Sequence, residues 1–234
     1  MPQDRRARRP AAPSDLELLS LAAHEFRTPA SVAGGYLRML LKDAEYPLSE
    51  RQRKMIDEAD KACTRMVAIV AELGEIAKLD ANTAAIARTS FDLFPALDET
   101  ASQASEAHDR GVQLQVSGES EGAQTAGDRP RLQQAFAAIF RAVLREQPDG
   151  SRVVVDRRRV VRGPDRSALI VVARADEVES ARCSAPAPFN EYRGGMGLAL
   201  PIARRVVERH GGRIWSPPGT AAGPIIVSFR LGDF

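Results

Sequence analysis

The chain has 234 residues, of which 44% are hydrophobic and 27% charged. These proportions exclude a disordered or collagenous chain and suffice for one large domain or two small ones. Lys and Arg number 33 against 31 Asp and Glu, a net charge of +2, so no whole-chain field exists to grip nucleic acid.

No apolar stretch approaches the roughly 20 residues that span a bilayer, and Cys63 and Cys183 show neither metal nor disulfide spacing. A cytoplasmic protein without membrane insertion is therefore expected. Residues 1–14, with Arg5, Arg6, Arg8 and Arg9 among Pro and Ala, read as a disordered basic leader; no apolar segment follows to make it a secretory signal.

From Asp15 to about Asp43, Leu16, Leu19, Ala23, Phe26, Ala30, Ala33, Leu37 and Leu40 recur at spacings of three and four, the seam of a helix. Ser14 or Asp15 is expected to cap it, with Glu17 completing a capping box. After a break at Glu45–Leu48, Ser49 opens a second helix with the seam Ile56, Ala59, Cys63, Met66, Val70, Leu73 and Ala77. The two form an antiparallel hairpin over 15–82 whose narrow seams predict a homodimer, assembled as a four-helix bundle. Cys63 lies on the seam and reads as core packing.

The period changes after Asp80, and a second domain, 83–234, is expected. It reads as a helix over about Phe94–His108, a strand at Val112–Val116, a polar loop to Asp128, a helix over Pro130–Glu146 and a turn at Gln147–Gly150. Strands follow at Arg152–Val161 and Ser167–Ala173, then an irregular Ala/Pro/Ser segment, a helix over Leu198–Arg209 ending at Gly211-Gly212, and strands near Arg213–Ser216 and Ile225–Leu231. Segregated helices with antiparallel strands predict an α+β sandwich.

At about 100° per residue, His24 projects away from the seam of the first helix and is expected to be exposed. Glu25 is adjacent, Thr28 lies one turn on, and Pro29 deprives the Glu25 carbonyl of its usual donor, predicting a local interruption of the helix. An exposed imidazole accepts a phosphoryl group on one ring nitrogen while a neighbouring carboxylate holds the other N–H. Thr28 stands where it can position a water. Gly34 and Gly35 cost the helix about 1 kcal/mol each relative to alanine.

The string His24-Glu25-Phe26-Arg27-Thr28-Pro29, continued through Gly35-Tyr36 and the second heptad helix, resembles the H-box of two-component sensor histidine kinases. The resemblance implies that His24 is phosphorylated, that Glu25 is the general acid/base, that Thr28 belongs to a Glu-x-x-Thr pattern for dephosphorylating a response regulator, and that Arg27 meets phosphate charge. The second domain is similar to the ATP-binding domain of the same family, of the Bergerat type. Phe91-Asp92-Leu93, Arg110-Gly111-Val112, Gly127-Asp128, Arg131-Leu132-Gln133-Gln134, Pro188-Phe189, Tyr192-Arg193, Gly195-Met196-Gly197-Leu198-Ala199-Leu200 and His210-Gly211-Gly212 follow its order, so the resemblance spans about residues 15–231. Gly195, Gly197 and Leu198, at the entry to a helix, would then meet phosphate oxygens.

Departures from that pattern bear on the nucleotide. Where the family holds Mg²⁺ with asparagines, the register read from Arg131 places Ala138 and Arg141; where an Asp receives the adenine amino group, Arg174 follows Ile170–Ala173, with Asp176 a shifted substitute. Glu177, Val178 and Glu179 replace glycines, and Arg193-Gly194 joins the F-box to the G2 box with almost no lid. Arg141 and Arg174 are candidate pocket residues that would neutralise nucleotide charge in place of a metal, and no metal site is expected on this chain.

The preferred reading is a phosphorelay protein that exchanges a phosphoryl group between His24 and the aspartate of a response-regulator receiver domain, with Mg²⁺ on the regulator and a degenerate ATP domain serving docking or regulation. Two alternatives stay open: an ATP-dependent histidine autokinase with an altered site, and a non-catalytic dimeric signalling adaptor. No folded sensor is expected in the short leader before Asp15, and input is expected from an upstream sensor protein, the leader or the nucleotide-like pocket.

Overall fold

The computed structural model describes residues 15–105, 110–163, 165–219 and 223–232. The chain divides into two compact units, Met1–Thr83 and Ala84–Phe234. The leader, the cap expected from the Ser14, Asp15 and Glu17 side chains, and the end of the helix expected to reach His108 lie outside what is described.

The first unit is a hairpin of α1 (Asp15–Lys42) and α2 (Glu50–Asp80). Helix α1 runs through Pro29 without interruption, which corrects the expected break. A proline forfeits one hydrogen bond, and here the remaining helical bonds carry the helix across it. The Asp43 carboxylate closes the connecting turn by accepting from Glu45 and Tyr46 N–H at 3.0 and 3.1 Å. Ser49 caps α2 in a reciprocal box with Gln52. An Arg38–Asp60 ion pair at 2.8 Å crosses from one helix to the other and fixes their register. Ala23, Cys63 and Ala77 on the predicted seams are buried, whereas Phe26 stays 66% and Met66 49% exposed.

The second unit is built from β1 (Thr89–Asp92), α3 (Leu93–Ser105), β2 (Gln113–Gly118), β3 (Gln124–Gly127), α4 (Arg129–Glu146), β4 (Arg152–Arg162), β5 (Asp165–Arg174), α5 (Val178–Cys183), a 3-10 turn (Arg193–Gly195), α6 (Ala199–Arg209), β6 (Arg213–Trp215) and β7 (Ile225–Arg230). Five strands form one sheet in the order β2-β4-β5-β7-β6. Its strands pair antiparallel except at one edge, where β2 runs parallel to β4. The chain leaves β2, makes β3 and α4, and re-enters in the same direction, a crossover long enough to join parallel strands.

Strands β1 and β3 form a separate antiparallel pair. It holds because the Asp92 carboxylate accepts from the backbone N–H groups of Gly122 and Ala123 at 2.5 and 3.1 Å, and from Phe94 N–H at 3.1 Å.

Helix α4 lies in the middle of the core. Leu132, Ala135, Phe136, Ala138, Ile139, Phe140, Ala142, Val143 and Leu144 are all buried, with Phe136 in ring contact with Phe140 and Phe229. Its start is capped by Asp128, whose carboxylate accepts from Arg131 N–H at 3.1 Å. Its end is capped by Arg110, which donates to the carbonyls of Leu144, Arg145 and Gln147. Side chains thus satisfy orphan backbone groups at both termini of the helix. On the opposite face of the sheet, Val171, Ala173 and Ile226 pack with Ala181 of α5.

Candidate functional site

In the helical unit His24, Glu25 and Thr28 are all exposed on α1, as are Phe26, Arg27 and Pro29. Three and four residues along a helix share a face, so His24 and Thr28 stand one above the other, and Glu25 is the next residue along the helix. The His24 side chain is open to solvent. Further along the hairpin, Ala30, Ser31, Gly34, Arg38, Cys63, Thr64 and Val67 line a groove of about 220 Å³ between α1 and α2.

In the sheet unit Gly195, Gly197 and Leu198 come together in one tight segment leading into α6. Gly194, Gly195 and Gly197 all have positive φ, and Leu198 is the N-cap of α6 without a side-chain hydrogen bond. The glycine at 194 is required by packing as well as by φ. A Cβ placed there would lie 3.1 Å from the Ala142 Cα and 3.2 Å from its Cβ. The turn therefore sits directly on α4, against the methyl of Ala142. Ala138 stands one helical turn earlier on the same face and is buried.

Arg141 is elsewhere. It is exposed and donates back to the Ala137 carbonyl of its own helix at 3.1 Å. A residue one position before Ala142 is rotated by about 100° from it, which takes Arg141 off the face that meets the turn. Arg145 is the cation that reaches the turn, donating to the Gly195 carbonyl at 3.3 Å.

Arg174, at the end of β5, is held by acids from the adjoining loop: Asp176 at 2.5 and 2.8 Å and Glu177 at 3.3 Å. The hydrogen bond to Asp176 strengthens the guanidinium's hold on its proton and keeps the Asp176 carboxyl below the usual carboxylate range. Its charge is answered locally by these two acids. It is not brought into contact with Arg141.

Two features were not foreseen. Arg193 is buried, its side chain only 2% exposed, and forms an ion pair with Glu146, itself 11% exposed. Its remaining donors reach the Gly223 carbonyl at 2.6 Å and the Ser216 hydroxyl at 3.5 Å. Removing one partner of such a pair strands a buried charge at a cost of about 3–5 kcal/mol. A signal was present in the sequence: Glu146 follows Ala138 and Ala142 at intervals of four, so it is an acid on the apolar stripe of α4 and requires a buried partner.

The second is His210, which links α6 to α4. Its Nε2 accepts from Asp128 N–H at 2.9 Å and its Nδ1 lies 2.6 Å from the Val206 carbonyl. Only the neutral ring with its proton on Nδ1 satisfies both contacts. Burial pushes the imidazole below the ordinary histidine range. Gly127 is required here, because a Cβ would come within 2.5 Å of the ring.

Comparison with known proteins agrees with this arrangement. The family model for the His Kinase A (phospho-acceptor) domain matches residues 14–82. The signal transduction histidine-protein kinase BarA of Escherichia coli K12 is 26% identical over 209 residues, 85% of this chain and 22% of its own length. The alginate biosynthesis sensor protein KinB of Pseudomonas aeruginosa is 24% identical over 218 residues, 88% of this chain and 35% of its length. The chain thus spans about a fifth to a third of these relatives. The crystal structure of full-length ShkA in complex with AMPPNP shares the fold with a TM-score of 0.67 at 20% identity, covering 93% of this chain and 46% of that one. The structure of histidine kinase ThkA with the response regulator protein TrrA gives 0.52 at 17% identity, covering 92% and 61%. Among the described residues no helix is long and apolar enough to cross a membrane. Residues 14–82, with the exposed His-Glu-x-x-x-Pro helix, thus match the phospho-acceptor domain model, and the chain as a whole is similar to two-component sensor histidine kinases and shares their fold.

Proposed function

We propose that the protein works in a two-component phosphorelay by carrying a phosphoryl group on His24 and exchanging it with an aspartate of a response-regulator receiver domain. The observation that carries this reading is the exposure of His24, Glu25 and Thr28 together on α1 within the phospho-acceptor match. In the exchange the P–N bond to an imidazole nitrogen breaks as a P–O bond to the regulator aspartate forms, and the reverse reaction loads His24 from a phosphorylated regulator. Glu25 holds the proton on the other ring nitrogen and keeps that imidazole nucleophilic. Thr28 positions a water for hydrolysis of the regulator's phosphoryl group. The metal that assists the transfer belongs to the regulator.

The sheet module, over residues 83–234, is read as a degenerate nucleotide domain kept for docking or regulation. Magnesium takes oxygen ligands, whereas the α4 face against the glycine turn offers the methyl groups of Ala138 and Ala142. Arg174 has no acceptor for an adenine amino group and is occupied by Asp176. These residues do not fit Mg-ATP, and no step is routed through it.

The exposed seam residues Phe26 and Met66 support a homodimer, in which a second hairpin covers them. The ThkA complex with TrrA shows one kinase of this fold engaging a regulator and supports the same class of partner here.

The test is transfer from a receiver domain labelled by a small-molecule phosphodonor. Label is expected on the wild-type chain and not on His24→Ala; equal labelling of both rules out His24 as the acceptor.

A further inference from the structure

We propose that the Arg193–Glu146 pair is an internal clasp that holds the glycine turn shut on α4 and takes the place of a bound ligand in ordering this side of the sheet unit. This rests on the reading above that the module works without nucleotide.

A turn with three glycines at positive φ has little intrinsic order and needs an external restraint. Arg193 supplies it from inside. Its guanidinium joins three segments distant in sequence, namely the end of α4 through Glu146, the residue after β6 through Ser216, and the connection before β7 through Gly223. The pair is nearly excluded from water, so solvent screens it little. Beside it Gly194 closes onto Ala142 at near-contact distance, and Arg145 adds a hydrogen bond to the Gly195 carbonyl from the solvent side. Closure therefore has one buried strut, one steric seat and one exposed tie, and no ligand oxygen is needed to complete any of them. Glu146 and Arg193 are reciprocal: either one alone would be a buried charge without an answer.

Amide hydrogen exchange on the full chain tests the clasp, comparing wild type, Glu146→Gln, Glu146→Ala and Arg145→Ala, each with and without Mg-ATP. In wild type, peptides covering 191–199 are expected to be protected equally with and without Mg-ATP. Glu146→Ala should raise their exchange at least about tenfold while β5 and α4 stay protected. Glu146→Gln keeps acceptor geometry without the charge and should give a smaller local rise, which is read even if the alanine variant loses the whole core. Arg145→Ala should change exchange at 195–197 least. Unchanged exchange at 191–199 in Glu146→Ala and Glu146→Gln overturns the clasp. Added protection of the wild-type turn by Mg-ATP instead overturns the functional reading beneath it.

Discussion

In the hairpin, the side chains able to do chemistry stand exposed on an unbroken helix; in the sheet unit, the glycine segment that resembles a nucleotide loop packs on α4 and is bonded by the chain's own groups. His24, Glu25 and Thr28 have water in front of them, while Gly194 has Ala142, and Arg193 has Glu146, Ser216 and the Gly223 carbonyl. The difference teaches that likeness to a family's motifs does not tell whether a pocket is open. A motif is a string, and its use depends on which side chains the fold turns towards it.

The comparison can be broken most severely at His24. His24→Ala should abolish phosphotransfer with a labelled receiver domain, a loss of at least about a thousandfold in single-turnover rate if a covalent phosphoryl carrier has been removed, with the far-ultraviolet circular dichroism unchanged. In the sheet unit the matching deletion is structural. Phe140→Ala should cost about 3–5 kcal/mol in denaturant unfolding, because the ring is fully buried against Phe136; a loss below about 1 kcal/mol would show that α4 is not the core element described. Thr28→Ala should slow regulator dephosphorylation by roughly a hundredfold, the low end for a group that assists proton transfer through a positioned water, and spare phosphotransfer; equal loss of both would make Thr28 structural. Ser49→Ala should destabilise the hairpin by about 1 kcal/mol through loss of the cap.

His210 gives the smallest effect and a sign. Its folded-state pKa is depressed by burial, so the unfolded chain takes up the proton first. The stability it contributes is present above the unfolded value of about 6.5 and is lost as pH falls through that value towards the folded one. The melting temperature of the sheet unit should therefore fall between pH 7.5 and 5.5, and His210→Gln should flatten that slope. A slope unaltered by the substitution would place its origin elsewhere.

Much of the fold was legible because it follows period and punctuation. The heptad seams, the Ser49 cap and the Asp128-Arg129-Pro130 start of α4 are local signals, and the two long strands β4 and β5 announce themselves by their β-branched residues. Strands β1 and β3 were not legible, since Thr89–Asp92 and Gln124–Gly127 lack alternation and owe their pairing to the Asp92 carboxylate. The parallel edge at β2 and the short helix α5 within the irregular segment also depend on tertiary placement. In the site, the exposure of His24 followed from helix geometry. The contacts of Arg141 did not, because one position along a helix turns a side chain by about 100°. Arg174 and Asp176 were each noticed, but their pairing was a matter of loop conformation.

The central claim is that phosphoryl groups reach His24 from a regulator and not from ATP bound to this chain. The direct measurement is to incubate the protein with radiolabelled ATP and Mg²⁺, and in parallel with a radiolabelled phosphorylated receiver domain, using His24→Ala as the control for both. The account predicts label on wild type from the receiver domain only. Label arriving at His24 from ATP, and lost in His24→Ala, would contradict it.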